Sequence, residues 1–153
     1  MSPEARLKEL GISLPHPPAP GGNYVPARRV GNLLFLSGVI STNEHGVITG
    51  HVSLDRTIED GYEAARRCAL TQLAVLRHTL ESLDRVHQVV TLNGYVNTVA
   101  HFQEAAKVIN GASDLLVEVF GEAGRHARAA IGVSALPRNA LVEVQMSVEI
   151  RDL

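Results

Sequence analysis

Apolar residues recur at steps of three and four through the middle of the chain and predict one long amphipathic helix. The apolar stripe consists of Ile58, Tyr62, Ala65, Ala69, Leu73, Leu76, Leu80 and Leu83. Thr57 followed by Asp60 is typical of a capped helix start, so the helix is predicted to span Thr57 to Leu83. At roughly 1.5 Å per residue it is about 40 Å long. A sheet of comparable extent is needed to bury the stripe.

Alternation with a period of two predicts two strands near the end of the chain. In the last strand the apolar face carries Val142, Val144, Met146, Val148 and Ile150, and the opposite face carries Glu143, Gln145, Ser147 and Glu149. In the preceding strand one face carries Ala129, Ile131, Val133 and Ala135, and the other carries Arg128, Ala130, Gly132 and Ser134. We expect Arg128 on the face away from the core. Because the outer residues are small or uncharged around Ala130 and Gln145, this surface could pack against another copy.

The remaining elements complete an α+β order with helices on one face of a sheet. The predicted elements are a helix over Pro3–Leu10 stopped by Gly11, a proline-rich lead-in over 15–22, strands over Val25–Val30 and Leu33–Ile40 joined at Gly31-Asn32, a looser hairpin over Thr42–Val52, a strand over Val86–Asn97 and a helix over Phe102–Phe120. The other face of such a sheet stays uncovered within one chain.

The second long helix has an unusual interior from Lys107 to Asp114. Its Asn-Gly-Ala-Ser-Asp run consists mostly of residues that favour turns and caps. One interpretation is a break, with Ser113 or Asp114 capping a new helix from Leu115. The other is a single helix with one poor turn. A break would expose N–H groups and the Asn110 side chain to a pocket.

Composition narrows the functional classes. With 153 residues and 45% hydrophobic content, the chain is predicted to form one globular domain over 1–153, residues 1–22 being the short helix and the lead-in. Its 14 basic and 16 acidic residues are interspersed, so nucleic acid is not an expected partner. The single cysteine, Cys68, favours a reducing compartment, and no apolar run reaches the length of a membrane span. We expect a cytoplasmic protein.

Arg128 and Glu143 are the candidates for chemistry. An arginine fork matches a carboxylate, and a glutamate can take a proton from water. Together they indicate a site for a small carboxylic acid, whereas an ordinary solvated sheet face would explain the same alternation. In a simple hairpin Arg128 would lie opposite roughly Glu149, with Glu143 about 20 Å along the strand. A shared site therefore needs either another strand between the two or a subunit boundary.

Two motifs, one near each end of the chain, occur in a fixed order. The first contains Gly22-Asn23-Tyr24 and then an apolar strand ending in Ser37-Gly38. The second contains Ala127-Arg128, Leu136-Pro137 eight residues after the arginine, and Val142-Glu143. This pattern resembles the RidA/YjgF superfamily of reactive-intermediate enamine/imine deaminases, often named endoribonuclease L-PSP, and the resemblance covers nearly the whole chain.

The resemblance implies a chorismate-mutase-like fold, a homotrimer with clefts between subunits, and hydrolysis of 2-enamines or 2-imines of amino acids to 2-keto acids and ammonia. Carried over residue by residue, it places Arg128 at the substrate carboxylate and Glu143 near the attacking water. It assigns the cleft lining to Tyr24, Ser37, Gly38 and Asn110. No metal or cofactor is required, and the seven histidines form no ligand motif such as His-Glu-x-x-His.

Two departures from the family pattern indicate a divergent branch. His126 stands where many deaminases have proline, and Ala130 stands where they have Cys, Thr or Ser. His126 is either a further substrate-binding group, which would make binding sensitive to pH, or a plain loop residue. The alternative function is a trimer that binds a small carboxylate without turnover. RNA cleavage has no support in the sequence, since there is no obvious basic groove or histidine pair.

Overall fold

The structure, a computed structural model, describes residues 1–152. The helices are α1 (Pro3–Leu10), α2 (Ile58–Leu80) and α3 (Ala105–Phe120). The strands are β1 (Ala27–Val30), β2 (Leu33–Leu36), β3 (Val39–Ile40), β4 (Thr42–Asn43), β5 (Gly46–Val47), β6 (Val86–Asn97), β7 (Ala127–Val133) and β8 (Val142–Ile150). Short 3-10 turns occur at Leu83–Arg85, Gly121–Gly124 and Pro137–Asn139.

The main sheet is mixed, with the strand order β1, β2, β8, β6, β7. β6 is antiparallel to β8 and parallel to β7, and β3 continues beyond β2 along the same edge of β8. The parallel pair requires a crossover, which α3 supplies. β4 and β5 form a separate small hairpin. The predicted α+β class is therefore confirmed.

The core lies between one face of the sheet and the helices. Fully buried residues of α2, α3, β6 and β8 form it, including Leu73, Leu76, Ile109, Leu92 and Met146. The opposite face of the sheet leaves apolar side chains in solvent, with Phe35 at 44% and Ile131 at 50% exposure. Among residues 1–152, no helix is both long and apolar enough to cross a bilayer.

The start of α2 is as predicted, and its end is not. The Thr57 hydroxyl accepts from the Asp60 N–H at 3.0 Å, and the Asp60 carboxylate accepts from the Thr57 N–H at 3.0 Å. This reciprocal pair is a capping box. At the other end Glu81 takes a left-handed conformation with φ 69° and stops the helix after Leu80. Leu83 belongs to the following 3-10 turn, so the predicted end was three residues late.

α3 is one continuous helix, so of the two interpretations the single helix with one poor turn is confirmed and the break near Ser113 is wrong. Its start is Ala105 and not Phe102. Gly111 has a packing role: a Cβ atom there would clash with the backbone oxygen of Tyr62 on α2. The missing side chain lets the two helices approach closely, and this tertiary contact outweighs the poor helix propensity of the turn.

Several early strands are shorter than predicted. β1 begins at Ala27 rather than Val25, and the strand predicted over Leu33–Ile40 is interrupted at Ser37 and Gly38. The predicted Thr42–Val52 hairpin contains only the two-residue strands β4 and β5. In contrast, α1 and β6 have the predicted bounds.

The orientation of β7 corrects an expectation. Arg128 is in register with Leu92 of β6, and Leu92 is in register with Met146 of β8. Leu92 and Met146 are both buried, so Arg128 points to the helix side, where Ala130 also packs against the core. Ile131 points to the open face. The prediction was reversed because β7 is an edge strand, and its facing is decided by its pairing with β6 rather than by its own alternation.

Candidate functional site

Arg128 lies at the edge of the sheet and reaches α3. Its Nη1 donates to Asn110 Oδ1 at 2.7 Å and to Ser113 Oγ at 3.1 Å. Asn110 and Ser113 are three residues apart, so one face of α3 presents both to the same guanidinium. The side chain is exposed, and within residues 1–152 its Nε and Nη2 atoms make no hydrogen bond. One edge of the fork is thus fixed while the other stays available for an anion.

His126 is connected to Arg128 through Ser113. Its Nδ1 lies 2.7 Å from the carbonyl oxygen of Gly124, and its Nε2 lies 2.9 Å from Ser113 Oγ. Because a carbonyl only accepts, Nδ1 carries the proton and the Ser113 hydroxyl donates to Nε2. Burial, and then the charge of Arg128, lower the pKa of His126 below 6.5. A neutral imidazole therefore orients Ser113, which in turn accepts from Arg128.

A shallow depression adjoins this cluster on the surface of α3. It is lined by Ser113, Asp114, Val117, Glu118, Arg125, His126 and Arg128. The Asp114 carboxylate accepts from the Tyr62 hydroxyl at 2.6 Å, and this bond is the main reason why the pKa of Tyr62 rises to about 12. The Asn-Gly-Ala-Ser-Asp run thus supplies hydrogen-bond partners for both Arg128 and Tyr62.

Glu143 lies on β8, on the open face, beside Gly38. A Cβ atom built on Gly38 would lie 2.8 Å from Glu143 Oε2, so the glycine leaves room for the carboxylate. The carboxyl group is partly buried, and this burial raises its pKa above 4.5. Within residues 1–152 no hydrogen bond or ion pair satisfies its oxygens. A carboxylate in this situation is poised to accept a proton from a small molecule.

Ser37 directly precedes Gly38, and the lead-in that contains Tyr24 bonds to Ser37 through Val25 and Pro26. The Ser37 hydroxyl donates to the Val25 carbonyl at 2.7 Å, and the Ser37 N–H donates to the Pro26 carbonyl at 2.9 Å. The Tyr24 hydroxyl accepts from the Gly21 N–H at 3.0 Å, and the side chain is 49% exposed. The two Ser37 bonds fix the lead-in against the Ser37–Gly38 segment, and the Tyr24 bond is internal to the lead-in.

The predicted site residues therefore form two groups. Arg128, Asn110 and His126 belong to one, and Glu143 with Gly38 belongs to the other. The two groups lie on opposite faces of the sheet, with roughly 14 Å between the Cα atoms of Arg128 and Glu143 from the strand spacing and register. In residues 1–152 no cluster of three or more His, Cys, Asp or Glu side chains could hold a metal ion.

The chain thus combines an α+β fold with an arginine at the sheet edge and a partly buried glutamate on the open face. The family model described as "YjgF/chorismate_mutase-like, putative endoribonuclease" matches residues 4–150. The chain therefore belongs to this family, and the resemblance drawn from the two terminal motifs is confirmed.

Three known proteins illustrate the similarity of this chain to other proteins. Protein TCP17 of Trypanosoma cruzi is 45% identical over 150 residues, covering 97% of this chain and 94% of the relative. The 2-iminobutanoate/2-iminopropanoate deaminase of Dermatophagoides farinae is 29% identical over 141 residues, covering 91% and 94%. The crystal structure of Atu1372 from Agrobacterium tumefaciens, a protein of unknown function, has a TM-score of 0.88 and 44% identity, covering 97% and 94%.

Sequence reasoning missed two contacts beside these groups. Ser113 was considered only as a helix cap, although it bridges His126 and Arg128. Gln72 was passed over, although it bonds to the Ser37 and Val144 carbonyls beside Glu143. A signal for Gln72 was present, because it lies three residues after Ala69 and four before Leu76 on the apolar face of α2. A polar residue at such a position calls for a buried partner.

Proposed function

We propose that the protein hydrolyses 2-imines of amino acids, and the 2-enamines that tautomerise to them, to 2-keto acids and ammonia. The observation that carries the proposal is Arg128, whose guanidinium is anchored on one edge by Asn110 and Ser113 and exposed on the other. An anchored fork can bind a carboxylate bidentately with little loss of side-chain entropy. Kinship with the mite iminobutanoate/iminopropanoate deaminase supports the same chemistry.

Glu143 is proposed to handle the water. The water oxygen bonds to the imine carbon as one water proton passes to the carboxylate, and the C=N electron pair moves to nitrogen, which takes that proton from the protonated Glu143. In the resulting carbinolamine the hydroxyl proton passes through the Glu143 carboxylate to the amine nitrogen, so that the C–N bond breaks, ammonia leaves and the C=O bond forms. Because burial raises the pKa of Glu143, its ionised form is a stronger base than an exposed glutamate. Imine and water are consumed, and keto acid and ammonia are released.

The complete site is proposed to form between subunits of a homotrimer. Arg128 and Glu143 point away from each other within one subunit, so a small substrate cannot touch both. The open face that carries Glu143 also exposes Phe35 and Ile131, and an apolar surface of this kind favours association. Association would place the Arg128 edge of one copy against the Glu143 face of the next.

The first experiment measures ammonia and keto-acid release from enzymatically generated 2-aminoacrylate and larger 2-imino acids. We expect acceleration by the wild type and loss of it in Glu143→Gln, which keeps the shape of the side chain but cannot accept a proton. Carboxylate binding by Glu143→Gln, measured by calorimetry with the keto-acid product, should persist. Full turnover by this variant would remove Glu143 from the mechanism.

A second experiment tests whether two subunits share the site. Arg128→Ala chains, which should bind substrate weakly, and Glu143→Gln chains, which should bind it without turnover, are co-expressed with different tags, and the mixed oligomers are purified and assayed at a substrate concentration below the wild-type KM. A shared site predicts restored activity, because one interface then combines the intact Arg128 of one chain with the intact Glu143 of the other. Absence of restoration in verified mixed oligomers would place both residues in one subunit's site. Binding of keto acids without turnover by the wild type would instead favour a carboxylate-binding trimer.

A further inference from the structure

Gln72 is a fully buried amide on the core face of α2. Its Nε2 donates to the carbonyl oxygens of Ser37 and Val144, each at 3.0 Å. Since both neighbours are acceptors, the nitrogen and not the oxygen must face them. The amide therefore connects α2 to two separate backbone segments at one point.

The two segments meet where the edge of the sheet is irregular. Phe35 is in register with Ser147 and Val39 with Val144, so four steps on one strand correspond to three on the other. The extra residue lies in the stretch that contains Ser37 and Gly38. Extra residues of this kind leave backbone groups without a ladder partner. Here the Ser37 carbonyl points into the core, where Gln72 supplies its donor.

The same irregular stretch is held from the open face. Gln145 Nε2 donates to the Leu36 carbonyl at 3.1 Å. Gln72 and Gln145 thus fix consecutive carbonyls from opposite sides of the sheet. Both contacts lie directly before Gly38, whose missing side chain makes room for the Glu143 carboxylate.

Gln72 lowers the stability of the fold in a way that an apolar residue would avoid. Its Oε1 is buried and has no hydrogen-bond partner within residues 1–152. A methionine would fill a similar volume without this unpaired oxygen, and a buried unpaired oxygen is unfavourable. The amide provides a fixed distance between Ser37, which precedes Gly38, and Val144, which follows Glu143.

We propose that Gln72 is a positioning residue for Glu143: by bridging the Ser37 and Val144 carbonyls, it holds the Gly38 backbone against the Glu143 carboxylate and keeps that carboxylate partly shielded from water. The role of Glu143 in turnover rests on the proposed deaminase function. The shielding itself does not, because it is a property of the folded chain. The upward shift in the pKa of Glu143 that burial causes agrees with this arrangement.

The test compares Gln72→Met with the neighbouring control Thr71→Val. The Thr71 hydroxyl is also nearly buried, but among the described residues it bonds only to the Arg67 carbonyl of its own helix, at 3.2 Å. Two properties are measured in each folded variant: the pKa of Glu143 by carbon NMR of labelled carboxyl groups, and kcat and KM for imine hydrolysis. In Gln72→Met we expect the Glu143 pKa to fall toward its ordinary value and kcat to drop roughly tenfold or more. KM should stay within about twofold, because Arg128 is untouched.

The NMR titration and the kinetics separate the positioning role of Gln72 from the proposed deaminase function. Wild-type protein that hydrolyses none of the imines overturns the proposed function, and the NMR titration then decides the role of Gln72 alone. An unchanged Glu143 pKa in folded Gln72→Met, or an equal change in Thr71→Val, overturns the positioning role. If Gln72→Met does not fold, Gln72→Asn is used, because its amide is one methylene too short to reach both carbonyls. If the Glu143 pKa in Gln72→Asn equals that of the wild type, the proposal is likewise overturned.

Discussion

Arg128 and Glu143 lie on opposite faces of one sheet, with strand β6 between them. Arg128 is paired with Leu92 on the helix side, and Glu143 is paired with Tyr95 on the open side. Side chains alternate between the faces of a strand, so the three-residue offset between Leu92 and Tyr95 reverses their direction. Residues that the family resemblance assigns to one substrate therefore face away from each other within one chain.

Replacing Arg128 tests the anchored fork. Arg128→Ala should raise KM for imino acids by roughly tenfold to a hundredfold, because a charge-assisted hydrogen bond contributes about 1.5–3 kcal/mol. The free energy of unfolding should change by less than about 0.5 kcal/mol, since the side chain is exposed. Arg125→Ala is the matched control, because Arg125 lines the same depression but has only a 3.9 Å ion pair with Glu122. Unfolding of Arg128→Ala, seen by circular dichroism, would make Arg128 structural.

Gly38→Ala tests the space beside the Glu143 carboxylate. The added methyl would lie 2.8 Å from Oε2, and the flexible carboxyl group can move away. We therefore expect a small change in melting temperature and a decrease of roughly tenfold or more in kcat. Combining Gly38→Ala with Glu143→Gln should cause little further loss, because both act on the same group. Fully additive losses would show that Gly38 acts elsewhere.

The pH dependence of stability tests the neutral state of His126. Its folded pKa is lowered below 6.5, so the unfolded chain binds the proton more readily. Stability from this group is present above about pH 6.5 and is lost as the pH falls through the folded pKa. His126→Gln cannot be protonated and should show a flatter decline, measured by urea unfolding across this range. His87→Gln, at an exposed position of β6, is the control variant.

Gly111→Ala tests the close approach of α2 and α3. Alanine favours helices, so in an exposed turn the change would stabilise the protein. Here the methyl meets the Tyr62 backbone oxygen, and we expect a loss of about 1–3 kcal/mol or more in the free energy of unfolding. Asn110→Ala, one residue away on the exposed side, should change stability by less than about 0.5 kcal/mol. Urea unfolding of both variants compares them directly, and a neutral Gly111→Ala would contradict the packing role.

Local sequence patterns were sufficient to predict several elements of secondary structure. The bounds of α1 and β6 agree with the prediction, and so does the Thr57–Asp60 capping box. In each case the deciding interactions lie within a few residues along the chain. The end of α2 was predicted late because Leu83 continues the apolar period while Glu81 has already turned the backbone.

The candidate site was predictable in its residue types and not in its assembly. Arg128, Glu143 and Gly38 could be chosen from motifs, and an intervening strand was one of two alternatives for Arg128 and Glu143. The identity of that strand as β6 and the bridging role of Ser113 were not predicted. Gln72 shows the same limit, since its partners Ser37 and Val144 are 35 and 72 residues away.

The sequence by itself determined the helices, the alternation of the strands and the kinds of side chain available for carboxylate and proton chemistry. The tertiary structure alone decided that β6 lies between β7 and β8, that Arg128 faces α3, and that a buried amide bonds to the Ser37 carbonyl near Glu143. The physical reason is that periodicity reports local geometry, whereas strand partners and buried hydrogen bonds depend on residues far apart in the chain. An edge strand such as β7, exposed on most of its length, carries too little hydrophobic contrast to reveal which of its faces is inward.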